Sequence, residues 1–168
     1  LNMNDVTIHS LGYGTGKETN VSGRYMPKGT DITITLNGTP LAAVGVKFVM
    51  RNYRQNAANY FENMLGETAN IQANGIPYFQ ILIMPDSTPY LTKGNEQTIT
   101  RWERLSESHL SRYVRISHDK DKEYRHTPER MLVYVVSTGI EHQDPPPTNQ
   151  HDFHDAIQTP TFRVTPSN

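Results

Sequence analysis

His142, His151 and His154, interleaved with Asp144, Asp152 and Asp155, are the densest group of metal-ligand residue types in the chain. If Asp152 to Ile157 forms a helical turn, His151 and His154 share one face, a spacing that can chelate a transition metal. The same residues lie beside Pro145-Pro146-Pro147 in a polar stretch, where a solvated, hydrogen-bonding tail is the plainer reading. Arg101, Trp102 and Arg104 form a second candidate: an indole face between guanidinium groups can stack a sugar or a base, as can Tyr53 between Arg51 and Arg54. Core aromatics with arginines at the rim produce the same pattern.

Other motifs fail on spacing. Gly12-Tyr13-Gly14-Thr15-Gly16-Lys17 invites comparison with a phosphate-cradling loop, but Leu11 and Glu18 stand where that loop needs Gly and Ser or Thr. A flexible hairpin loop is expected there instead. Asp119, Asp121 and Glu123 alternate with Lys120 and Lys122, yet Tyr124 occupies the place where a calcium loop needs Gly, so a charged hairpin tip is expected. With no Gly-x-Ser-x-Gly elbow and no cysteine, nucleophilic catalysis has no anchor. No enzymatic activity and no cofactor are expected.

The elements that must position these residues read mainly as strands. Asp31 to Leu36 alternates threonine with Ile32, Ile34 and Leu36, predicting a half-buried strand with the apolar set on one face. Asn37-Gly38 follows, the dipeptide of a tight hairpin turn, and Val44, Val46, Phe48 and Met50 resume the period of two. Because Pro40 cannot donate to a ladder, the connection is longer than two residues if pairing starts only at Ala43. Residues 77 to 84 and 131 to 136 are apolar on both faces and read as covered strands, which implies two packed layers. Weaker strand patterns cover 6 to 11, 21 to 25, 97 to 102, 112 to 117 and 161 to 165.

One amphipathic helix is expected from Asn52 to Leu65, where Tyr53, Ala57, Tyr60, Phe61, Met64 and Leu65 follow helical spacing, with Asn52 as cap and Gly66 as stop. Between Trp102 and Val114 a short helical turn between strands is expected. From Glu141 the texture changes to a stiff, polar, proline-rich linker, and Phe162 and Val164 make one further strand candidate. The expected architecture is a two-layer, jelly-roll-like β-sandwich over residues 1 to 141, with an extended tail over 142 to 168.

The chain has 168 residues, 35% of them hydrophobic, which is lean for a folded domain. Sixteen Lys and Arg against seventeen Asp and Glu give a net charge of −1, and the basic residues are scattered singly. That pattern lacks the clustered cations of a high-affinity nucleic-acid binder. No stretch is apolar enough for a membrane span. Leu1 to Asn4 show neither a basic start nor an apolar run, so no signal peptide is expected, and the absent initiator Met points to a processed product or a fragment.

A lean core with extended ends suits a subunit that its neighbours help to stabilise. The leading expectation is a structural subunit of a larger assembly, a viral or phage virion component of shell, decoration or tail type, binding its own copies or other virion proteins. A carbohydrate- or ligand-binding β-sandwich module using Trp102 and Tyr13 stands second. A metal-dependent hydrolase built on His142, His151 and His154 stands third.

Overall fold

The Asn37-Gly38 signal is where the computed structural model turns its first long hairpin. Both residues have positive φ, 50° and 79°, as a two-residue turn between twisted strands requires. The pairing closes directly around them, Leu36 opposite Thr39. Pro40 is accommodated by a register shift between Ile34 and Thr35, which spares the ladder a missing donor. The connection is therefore the shorter of the two alternatives.

The structure describes residues 5–92, 98–119 and 125–158. The fold is mainly β. In chain order the strands are β1 (Val6–Ser10), β2 (Tyr13–Gly14), β3 (Thr19–Val21), β4 (Lys28–Thr30), β5 (Ile32–Leu36), β6 (Thr39–Phe48), β7 (Tyr78–Pro85), β8 (Ser87–Leu91), β9 (Ile99–Arg104) and β10 (Arg130–Val136). Helices α1 (Tyr53–Gln72), α2 (Glu107–His118) and α3 (Gln150–Gln158) complete it. Six strands form one sheet in the order β10-β7-β6-β5-β1-β2, while β3–β4 and β8–β9 are two-stranded ribbons. β1 and β2 are joined as a hairpin through Leu11-Gly12, the outcome expected for the glycine-rich segment.

The sheet is mixed. β1, β5 and β6 pair antiparallel. The bonds Ala43 N–H to Pro77 O and Val49 N–H to Ile83 O make β7 parallel to β6, and Glu129 to Tyr78 and Asp86 to Val136 make β10 parallel to β7. Parallel neighbours need a long crossover. Between β6 and β7 that crossover is α1. The expected second sheet is not formed as such among the described residues, beyond the two ribbons.

Contacts divide the chain into two compact units. The first comprises Leu1–Lys47, Asn59–Leu82 and Arg112–Leu132. Its core joins Val21, Ala43, Ile71, Ile76 and Tyr78. This places the C-terminal part of α1 and the β3–β4 ribbon on the sheet face that carries Ala43 and Tyr78. Thr33, opposite Ala43, lies on that face and is completely buried, its hydroxyl 2.6 Å from that of Thr30. The sequence pattern predicts the reverse, with the isoleucine face inward. Hydroxyl pairing lets the covered face of β5 be threonine, because a buried hydroxyl costs little once bonded.

The second unit comprises Phe48–Ala58, Ile83–Ser111 and Val133–Asn168. Here Val49, Tyr53, Met84, Leu91, Val136, Ile140 and Phe153 are buried. Tyr53 packs edge-on to His109 at 5.5 Å, and its hydroxyl donates to the His109 carbonyl. Asn149 accepts the Asp152 N–H at 3.0 Å and so caps α3.

Four expectations change. α1 runs through Gly66 to Gln72, because its last turns bury Ile71 and bond Gln72 Nε2 to the carbonyls of Arg125 and Thr127. Asn52 does not cap it by its side chain, which instead exchanges two bonds with the Leu91 backbone. Residues 112 to 117 are helical, since Tyr113 and Ile116 bury at helical spacing while Val114 stays exposed. β10 sits at a sheet edge rather than at its centre, and its Leu132 is exposed rather than covered. The strand candidate at Phe162 and Val164 and the carboxylates Asp121 and Glu123 lie outside the described residues.

Candidate functional site

In the first unit a polar cavity of about 260 Å³ opens between α1 and the sheet. Its floor is set by a glycine inside a strand. A Cβ on Gly45 would lie 2.0 Å from the Tyr78 hydroxyl, so only glycine lets β7 turn that phenol across β6. Tyr78 and Gln80 project from the same face of β7, two residues apart. The Gln80 amide is fixed by donating to the carbonyls of Gly45, at 3.0 Å, and Ile81, at 2.9 Å. Its Oε1 is thereby turned to the Tyr78 hydroxyl, 3.2 Å away.

α1 supplies the opposite wall through Tyr60, Asn63, Met64 and Glu67. Glu67 Oε2 is 3.3 Å from the Tyr78 hydroxyl, and Oε1 accepts from Lys28 Nζ at 2.7 Å. That ion pair is about one-third exposed, so its own contribution is about 1 kcal/mol or less. Asp31 Oδ2 accepts the Val46 N–H at 2.6 Å. Lys47 Nζ lies 5.1 Å from the centre of the Tyr60 ring, and Tyr113 of α2 adds a second aromatic wall. Burial pushes the Tyr78 pKa well above its ordinary 10.0, and the carboxylates of Glu67 and Asp31 push it further the same way. The phenol is thus a proton donor at physiological pH.

Two surface features accompany the cavity. In the first unit the sheet face opposite α1 carries Val6, Ile8, Ile32, Ile34, Val44, Val46, Phe79 and Ile81, and every one of them is half-buried rather than buried. The fully buried residues of β5 and β6 belong to the other face, while on this one Ser10 of β1 is buried opposite Ile32. Separately, Tyr25 and Met26 are 82% and 63% exposed at the β3–β4 connection. Their backbone is held by Asn70 of α1, whose Oδ1 accepts from both amides and whose Nδ2 donates to the Met26 carbonyl.

Apart from Tyr13, exposed on β2 in the first unit, the ligand and metal candidates singled out from sequence fall in the second unit, where some are engaged elsewhere. Arg101 stacks on Tyr90 at 3.8 Å and pairs with Glu103 at 3.1 Å. Trp102, on the other face of β9, meets Phe153 edge-on at 5.9 Å. Strand alternation therefore separates Arg101 from Trp102. Arg104 borders a crevice of about 10 Å³ beside Tyr53 and His109, too small for a ligand. His142 is 3.7 Å from Glu141, His151 pairs with Asp155 across a turn of α3 at 3.1 Å, and His154 leans on Phe153. Among the described residues no three His, Asp or Glu side chains gather where they could hold a metal.

None of the cavity's polar groups stands out in the sequence as a site. Two signals were present: a glycine inside an otherwise branched strand, and Gln80 inside an apolar one. A polar residue in a buried run is more informative than any exposed one. Comparison with protein-family models, curated proteins and solved structures finds no match.

Proposed function

We propose that this chain is a structural subunit of a larger assembly, of the kind that forms the shell, decoration or tail of a viral or phage particle, and that it associates through the half-buried face of its six-stranded sheet. The observation that carries this reading is that face: eight apolar side chains from four strands, none of them buried. A contiguous apolar sheet face is ordinarily covered by another layer. A second copy stacked on it would complete the two-layer sandwich that the strand pattern predicts, at the ~10 Å spacing of packed sheets.

Magnitudes set the strength of such a contact. Burying the remaining surface of a half-buried Val or Ile contributes roughly 0.5 kcal/mol, so two such faces yield on the order of 8 kcal/mol. Association costs ~4–15 kcal/mol in lost freedom. The contact is therefore weak and concentration-dependent unless further elements join it, and the displayed Tyr25–Met26 loop is suited to do so as an aromatic anchor.

Light scattering across a concentration series tests the proposal. The expected result is a mass that is a multiple of 19.1 kDa and falls on dilution, with Ile34→Lys remaining a folded monomer by circular dichroism. A wild-type chain that stays monomeric at every concentration overturns it.

A further inference from the structure

We propose that Asn37 is a modification site: in the folded chain its side chain deamidates through a succinimide formed with Gly38, while the other Asn-Gly pair, Asn74-Gly75, is held against the same reaction. The two pairs share their sequence chemistry, and both are exposed. Gly38 and Gly75 both have positive φ, 79° and 81°, and a Cβ added to either would meet nothing within 4 Å. Access and space therefore do not separate them.

Hydrogen bonds do. The reaction needs the glycine backbone nitrogen as nucleophile and the asparagine Cγ as electrophile, brought together by rotation about the asparagine Cα–C bond. Gly75 N–H donates to the Gln72 carbonyl at 2.9 Å, and Asn74 Nδ2 donates to the Ser22 carbonyl at 2.8 Å. Both groups must leave a bond before they can meet. Among the described residues, neither the Gly38 N–H nor the Asn37 side-chain amide has a hydrogen-bond partner. Their rotation acts on a turn closed by Leu36 and Thr39 at the end of the ladder, where local opening costs least. Two hydrogen bonds of ordinary net strength separate the two rates by roughly thirtyfold.

The chemistry balances with water alone. Solvent base takes the Gly38 N–H proton, the nitrogen bonds to Asn37 Cγ, and the Cγ–Nδ2 bond breaks, Nδ2 leaving as ammonia after regaining a proton. Water then opens the ring. Attack at Cγ restores the backbone and leaves aspartate, whereas attack at the Asn37 carbonyl carbon reroutes the chain through Cγ as isoaspartate. One water is consumed and one ammonia released, with no change of oxidation state. Either product adds a negative charge to a chain of net charge −1. Isoaspartate also lengthens the main chain of a two-residue turn that depends on positive φ at both positions.

Peptide mapping by mass spectrometry, after incubation of the intact chain in mildly alkaline buffer, tests the proposal. Trypsin places the two pairs in separate peptides, 29–47 and 55–93, and Asn37 is the sole amide side chain of the first. The expected result is exchange of NH2 for OH in the first peptide, as a mixture of aspartate and isoaspartate with ammonia released in step, and conversion at Asn74 roughly thirtyfold slower. In urea, where the protecting bonds are lost, the two sites should convert at comparable rates. A folded chain whose first peptide stays unmodified while the urea-unfolded chain reacts overturns the proposal. So do equal rates at the two sites in the folded chain, or a difference that persists in urea, which would assign the selectivity to flanking sequence.

Discussion

Tyr78 concentrates the chemistry of this molecule because its environment fixes its protonation. Burial and two carboxylates hold the proton in the folded state, whereas the unfolded chain releases it near the ordinary value of 10.0. Above that pH the unfolded chain binds fewer protons than the folded one, so the group's contribution is fully present below about pH 10 and is lost as pH rises further, by up to ~1.4 kcal/mol per pH unit. Tyr78→Phe should cost about 1 kcal/mol at neutral pH for the one long hydrogen bond its proton shares between Gln80 and Glu67. The gap between variant and wild type should close in alkaline urea titrations. A constant gap to high pH would show that the phenol does not retain its proton. Asn70 plays a comparable part at the β3–β4 connection, since one buried amide holds the backbone of two exposed apolar residues.

At the scale of elements, α1 shows how tertiary contacts extend a helix past its local stop. Gly66 lies within it, and an added Cβ there meets nothing within 4 Å. Gly66→Ala should therefore stabilise the chain by about 0.5–1 kcal/mol, seen as a higher urea midpoint with an unchanged slope. A decrease would mean that the glycine serves a contact outside the described residues. The second unit supplies a companion case. α3, expected as extended tail, buries Phe153 against Trp102, the sole tryptophan. Phe153→Ala should cost about 3–5 kcal/mol and shift Trp102 emission to the red; unchanged emission would contradict the packing.

For the whole molecule, the interior is unusually polar. Thr33, Thr35, Thr68, Asn70, Gln72 and Gln80 are buried beside the aliphatic core, while apolar side chains remain half-buried on the far sheet face. The composition foreshadows this, since a chain 35% hydrophobic cannot cover both faces of a large sheet with its own oily residues. A charge introduced at Ile34 should therefore abolish association and leave the fold, read by circular dichroism, intact.

Local pattern alone determined the Asn37-Gly38 hairpin, the existence of β7 and β10, the start of α1 and the mainly β character, because turn chemistry and side-chain periodicity act over a few neighbouring residues. Only the tertiary structure decided which face of β5 is covered, where α1 ends, that 112 to 117 and 150 to 158 are helical, and that Lys28, Asp31, Gly45, Glu67 and Gln80 line one cavity. Those outcomes depend on which distant groups share a face and complete each other's hydrogen bonds. Spacing along the chain carries no record of a partner thirty or forty residues away.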